Sequence, residues 1–330
     1  MQHKTILDTI GNTPLVALQR IVANPLATIL VKLEFMNPSG SVKDRIVAHI
    51  IRDAEERGLL VPGGTIVENT SGNTGAAVAM IAAIRGYNAI LTMPDKVSQE
   101  KQNALRAYGA EIVVCPTSAA PDDPEHYVNT ARRIAEEIPG AFRLDQYDNP
   151  KNTEAHYLTT GPEIWEQTNG KVDVFVASGS TGGTISGVGR YLKEKNPNVQ
   201  VVMPDPVGSI YYAYHKTGEV LNDGSCSYQV EGIGEDHIAK AMDFRVVDEM
   251  FQFTDVDCFS IARRLCREEG LFVGGSAGAN VWGALKVAER VTEPTTIVTV
   301  IPDGGIKYLS KFYNDHWYRE HYPEHHEVQQ

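Results

Sequence analysis

The 330-residue chain carries 30 Lys and Arg against 42 Asp and Glu, a formal charge of −12, with 42% hydrophobic and 22% charged residues. At about 100–200 residues per domain this is two domains or one large α/β unit, and a chain this apolar is not disordered. No basic field invites nucleic acid, no apolar run reaches the ~18 residues of a membrane span, and the N-terminal stretch lacks a secretory signal's apolar core.

The cysteines, Cys115, Cys226, Cys258 and Cys266, form no C-x-x-C pair and no disulfide framework. They read as small hydrophobes or incidental thiols, and a cytoplasmic location is expected.

In chain order, a Val/Ile-rich strand over 28–35 leads through Asn37–Arg45 (NPSGSVKDR) into an amphipathic helix over 41–57. Gly40 and Ser41 place Lys43 in the first turn, where orphan N–H groups and the helix dipole disfavour a cation. Such a lysine gains nucleophilicity if a ligand cleft partly buries it. It also reads as a surface lysine, with Asp44 as the favourable helix-start charge.

A strand over 64–68 ends in Glu68–Gly75 (ENTSGNTG) and a small-residue helix over 73–85. Five hydroxyl or amide side chains plus helix-start N–H groups make a donor set suited to a carboxylate. An ordinary capped loop needs only one such residue. Strands at 88–93 and 111–115 alternate with helices at 98–108 and 125–137, as a mostly parallel sheet flanked by helices requires. A seam near 140–155 precedes a helix over 152–168.

The second alternation opens with a strand over 172–177, Ala177–Thr184 (ASGSTGGT), and a helix over 183–195. Such a loop cradles phosphate with backbone N–H groups. Gly179, Gly182 and Gly183 miss the G-x-G-x-x-G spacing and G-x-x-x-x-G-K-[ST] is absent, so neither a dinucleotide nor ATP is indicated. A strand over 199–203 and a helix over 257–269 precede Gly274–Asn280 (GGSAGAN). There Ser276 either caps the helix over 277–290 or points its hydroxyl at a ligand. A strand over 296–301 and a helix over 307–319 close the pattern. Asp205 and Asp303, each after an apolar strand and a proline, read as paired carboxylates or as turn formers. His321, His325 and His326 lack a closed ligand spacing, so no metal site is expected.

A lysine in NPSGSVKDR followed by TSGNTG, STGGT and GGSAG, in that order, resembles the fold-type II pyridoxal-phosphate enzymes. Within them the chain is similar to the cysteine synthase/cystathionine β-synthase family, from Gly11-Asn12-Thr13-Pro14-Leu15 to Tyr308-Leu309-Ser310-Lys311-Phe312. Asp145-Gln146-Tyr147, Glu231–Asp236 (EGIGED) and Pro302-Asp303-Gly304-Gly305 look more like the cystathionine-forming branch.

The resemblance implies an α/β fold with two open, twisted, mostly parallel sheets flanked by helices, tryptophan synthase β-like. Residues 1–45 and 147–330 would form a larger phosphate-binding domain, 46–146 a smaller, mobile carboxylate-binding domain, with the cofactor between them. A homodimer is implied as well. The implied cofactor is pyridoxal 5′-phosphate, with Lys43 binding its aldehyde and later serving as base at the substrate Cα. Asn73 would bond the 3′ oxygen. Thr70, Ser71, Gly72, Thr74 and Gln146 would take the amino-acid carboxylate, with Tyr147 near the second substrate. Thr181, Gly182, Gly183, Thr184 and the Ser180 backbone would hold the 5′-phosphate, and Ser276 would face the pyridine nitrogen.

The implied reaction is a β-replacement of L-serine by L-homocysteine through an aminoacrylate, giving L-cystathionine and water. O-acetylserine or O-phosphoserine with sulfide, as in cysteine synthase, stays open, as does a catalytically silent binding protein. Three positions depart from the family: Ser180 for glycine, tolerable at negative φ; Asn69 for proline; and Glu235 where some relatives carry tyrosine. Haem and regulatory nucleotide-binding modules are not expected, since the chain begins about ten residues before Gly11 and ends at Gln330.

Overall fold

The computed structural model describes residues 3–70, 72–220 and 227–325, and divides the chain into two compact units. The first comprises Met1–Ile10 and Asn37–Ala155, the second Gly11–Met36 and His156–Gln330.

In the first unit a four-stranded, all-parallel sheet is built from β3 (Thr65–Asn69), β4 (Asn88–Pro94), β5 (Glu111–Cys115) and β6 (Phe142–Arg143), in the order β5-β4-β3-β6. Helices α1 (Lys43–Glu56), α2 (Asn73–Arg85) and α3 (Gln99–Ala107) bury their apolar stripes with Ile66, Leu91 and Met93 on one face. Helix α4 (Tyr127–Glu137) covers Val67 and Ile90 on the other. The unit takes in more chain than the expected 46–146, because Ile46, Val47, Ile50 and Ile51 of α1 and the flanking Leu7, Ile10 and Ala155 share one apolar cluster with α2.

In the second unit the sheet has six strands, ordered β1-β2-β10-β7-β8-β9. These are β1 (Leu15–Ala17), β2 (Ala27–Leu33), β7 (Val174–Val176), β8 (Gln200–Pro206), β9 (Glu249–Phe253) and β10 (Thr295–Ile301). All pairs are parallel except β1 with β2. Alternate residues feed opposite faces, as strand pleating dictates. Ile29, Val31, Val174, Val176 and Ile297 meet α9 (Asp255–Glu269) and α10 (Gly275–Ala288). Phe175, Val201, Met203, Val298 and Val300 meet α6 (Thr160–Gln167), α7 (Gly183–Lys195) and α8 (Tyr211–Thr217).

Two expected helices are interrupted. The segment 152–168 is α5 (Lys151–Leu158) and α6, broken at Thr159 (φ −125°, ψ −66°). Pro162 has no N–H to continue the ladder, and its ring collides with the carbonyl four residues back. The segment 307–319 is a 3-10 turn at Gly305–Tyr308 and a separate α11 (Asp315–His321). Asn314 starts that helix by accepting the His316 and Trp317 N–H groups.

Candidate active site

In the first unit, Gly40 turns the chain at φ +85° and donates its N–H to Asn37 O at 2.8 Å. Buried Asp44 closes this loop, accepting the Ser39 N–H at 2.8 Å and the Ser39 hydroxyl. It is thus a loop clasp as well as a helix-start charge. Half-buried Lys43 becomes the first residue of α1, after Val42, which offers no side-chain cap. The Lys43 N–H donates to Ser41 Oγ at 3.3 Å, and the lysine stands in the first turn, at the positive end of the helix dipole.

The TSGNTG stretch follows β3. Buried Thr70 carries the strand pairing one step on, its N–H donating to Thr92 O at 3.0 Å. Gly72 is the N-cap of α2 with no side-chain cap, and its own N–H donates to Thr70 Oγ1 at 3.4 Å. Buried Thr74 donates its hydroxyl to Gln146 Oε1 at 2.6 Å, joining two predicted carboxylate residues 72 positions apart. Asn73 and Tyr147 are half-buried; Ser71 lies outside the described residues. Asn69, in proline's place, accepts from Arg143 Nη2 at 3.3 Å.

Beneath Gln146 lies Glu68, with 0% exposure. Its two oxygens accept the Asp145 N–H at 2.8 Å and the Gln146 N–H at 3.3 Å. Burial pushes this carboxyl up to about 7, against the pull of those N–H groups and of Arg143.

In the second unit, β7 ends at Val176 and the glycine loop enters α7. Gly182 is the N-cap at φ +78°, and a Cβ on it would fall 2.5 Å from Met242 Cβ. The N-cap supplies no side-chain acceptor to α7, whose first-turn amides lie at the positive end of the helix; the Gly183 N–H meets Thr181 Oγ1 at 3.4 Å. Ser180 is not among the residues with positive φ, so serine in glycine's place brings no left-handed strain. The Tyr211 hydroxyl bonds Ser180 O at 2.6 Å, and His156 Nε2 lies 3.2 Å from Thr184 Oγ1.

Helix α10 has Gly274 as its N-cap, so Ser276 sits inside the first turn rather than capping it. It is 5% exposed, and its hydroxyl bonds no other described residue. Farther along α10, buried Asn280 accepts the Ser178 N–H at 2.7 Å and donates to Val300 O at 2.8 Å, locking the loop after β7 to β10. Asp205 and Asp303 serve separate turns: Asp205 accepts the Tyr212 N–H at 2.9 Å, Asp303 the Tyr308 hydroxyl at 2.9 Å. Burial pushes Asp205 up to about 7. In the tail, His321 stacks on Trp317, with ring centroids 4.0 Å apart, and His326 lies outside the described residues.

Sequence reasoning missed three supports: Glu68, His156 and the clasp made by Asp44. Glu68 is a buried side chain whose partners come from a distant segment, and His156 links nearby Thr160 to Thr184 on another helix, a bridge that no local pattern marks. For Asp44 the signal was present, a serine five residues upstream across a glycine.

The family model "Pyridoxal-phosphate dependent enzyme" matches residues 6–303. Cystathionine beta-synthase of Apis mellifera is 46% identical over 94% of the chain, which spans only 62% of that relative's own length. Among solved structures, an O-ureido-L-serine synthase superposes with a TM-score of 0.87 at 40% identity, covering 94% of this chain and 95% of that one. The O-acetylserine dependent cystathionine beta-synthase from Helicobacter pylori gives 0.85 at 35% identity, covering 94% and 98%.

Members of this family use pyridoxal 5′-phosphate. The residues present fit it. The uncapped start of α7, with a glycine no side chain could replace, suits a phosphate, and the buried Ser276 hydroxyl is left available for a ring atom.

Proposed function

The chain belongs to the pyridoxal-phosphate dependent enzyme family, and we propose that it catalyses a β-replacement, condensing L-serine with L-homocysteine to L-cystathionine and water. The bond between Thr74 and Gln146 carries this reading, because it assembles a carboxylate-binding donor set from two separate segments of the first unit.

Bound there, the cofactor supplies an electron sink for the bond-breaking at Cα. Lys43 Nζ would hold the cofactor, and as a base it would take the substrate Cα proton and deliver a proton to the departing β-oxygen. Thr70, Thr74, Gln146 and the Gly72 N–H bind the α-carboxylate, with Ser71 as a further donor. They fix which Cα bond faces the lysine. The amides and hydroxyls of Thr181–Thr184 hold the 5′-phosphate, and Asn73 bonds the 3′ oxygen. Ser276 Oγ would donate to the ring nitrogen, and as a neutral partner it would temper the sink and favour elimination over transamination. Tyr147 borders the approach of the thiol substrate. The working form in this reading is a cytoplasmic homodimer.

A second reading has O-acetylserine, or O-phosphoserine, as the first substrate and sulfide as the nucleophile. The dependence of the Helicobacter pylori relative on O-acetylserine favours an activated leaving group. Product analysis with serine or O-acetylserine, each paired with homocysteine or sulfide, separates the two. Cystathionine from serine as the fastest reaction supports the first. A far higher rate for O-acetylserine with sulfide replaces it with the second.

A further inference from the structure

Glu68 is the penultimate residue of β3, and the pairing of β3 with β6 does not need its side chain. That ladder pairs Ile66 with Phe142 and Val67 with Arg143, and the Leu144 N–H extends it to Val67 O at 3.2 Å. Where the ladder ends, the Glu68 carboxylate takes over, accepting the next two N–H groups, those of Asp145 and Gln146. Removing a carboxylate entirely from water is costly, and an apolar side chain would fill the position without that cost.

The cost secures a particular backbone. Asp145 adopts φ +56°, a left-handed conformation that aspartate tolerates better than most residues and that turns the chain at this point. Gln146 is then pinned on both sides. Glu68 takes its N–H, and Asn152 Nδ2 donates to its carbonyl at 2.7 Å. With main chain fixed, the Gln146 side chain reaches Thr74 Oγ1 at 2.6 Å.

We propose that Glu68 is a positioning residue of the amino-acid site, holding Gln146 through two backbone N–H groups so that Gln146 and Thr74 are set for an α-carboxylate. This rests on the assignment of Thr70–Thr74 and Gln146 to the substrate carboxylate. Glu68 touches no substrate in this role; it acts through Gln146.

Glu68→Gln is nearly isosteric, but its amide NH2 opposes one of the two N–H donors. The test is the Kd for L-serine, read from the visible absorbance change of the pyridoxal-phosphate-loaded enzyme, beside kcat and KM. Glu68→Gln is expected to raise Kd and KM about 10-fold, with kcat at saturation within about threefold and cofactor content unchanged. On a Gln146→Ala background the same substitution is expected to raise Kd less than about twofold, since the group it positions is gone. An unchanged Kd in Glu68→Gln, or full additivity with Gln146→Ala, overturns the proposal. If Glu68→Gln does not yield folded enzyme, Glu68→Asp, which keeps the acceptor charge but shortens its reach, takes its place in the same measurements, with the same outcomes supporting or overturning the proposal. A wild-type enzyme with no spectral response to L-serine or O-acetylserine overturns instead the assignment of the carboxylate site.

Discussion

The Ser180 hydroxyl donates to Glu235 Oε1 at 2.5 Å, so two residues that depart from the family's pattern are each other's partners. The contact fastens the loop before α7 to the EGIGED segment. The same seam carries the Gly234 N–H to Gly179 O at 2.7 Å and the Ile210 N–H to Glu235 O at 3.0 Å. The Ser180 side chain thus braces a neighbouring segment, which under the proposed function would leave its main chain to the phosphate.

Ser180→Ala leaves a mostly buried carboxylate without this donor but keeps every backbone amide of the loop. We expect about 1 kcal/mol of lost stability and a thermal midpoint lower by about 2–4 °C, with cofactor content unchanged. An unchanged midpoint with lost cofactor would place the hydroxyl on the phosphate instead.

Gly182→Ala combines a positive φ with a Cβ 2.5 Å from Met242 Cβ. The expected cost is about 2 kcal/mol or more, together with weaker cofactor retention, because relieving the clash shifts the start of α7. Urea unfolding and the visible absorbance of the purified protein check both halves. A variant as stable and as coloured as the parent would contradict the loop geometry.

Thr74→Val keeps the shape of the side chain but strips Gln146 Oε1 of its hydroxyl donor. The expected outcome is a KM for the amino-acid substrate raised about 10-fold or more, with cofactor content retained. Steady-state kinetics decide it. A fall in kcat alone would move Thr74 from substrate binding to the chemical step.

Glu68 and Asp205 both have carboxyls pushed up to about 7 by burial, from ordinary values of 4.5 and 3.8. Between those values the folded protein holds protons that the unfolded chain has released. Their contribution therefore makes stability fall as pH rises from about 4 through about 7. Asp205→Asn and Glu68→Gln should each flatten part of that slope in urea unfolding at pH 5 and pH 7.5. Variants with the parent's slope would show that neither group carries it.

Much of this architecture was legible because glycine and hydroxyl clusters mark the points where strands hand over to helices. TSGNTG between β3 and α2, and STGGT between β7 and α7, fall where their composition placed them. What stayed hidden depends on distant partners. Strands β1 and β6 have only three and two residues, too short for a period, and exist through pairing with β2 and β3. Helix α8 and strand β9 went unpredicted too, although Met250 and Phe253 are buried. Glu68 looks like a polar strand end in sequence. Only the return of the chain at Asp145, 77 residues on, gives its charge a partner.

The central claim is that Lys43 carries the cofactor, and borohydride reduction followed by peptide mapping tests it most directly. Reduction fixes a pyridoxyl group to whichever lysine holds pyridoxal phosphate. The expected result is a single modified peptide containing Lys43, absent from Lys43→Ala along with the visible absorbance of the protein. A pyridoxyl group on another lysine, or undiminished absorbance in Lys43→Ala, would contradict it.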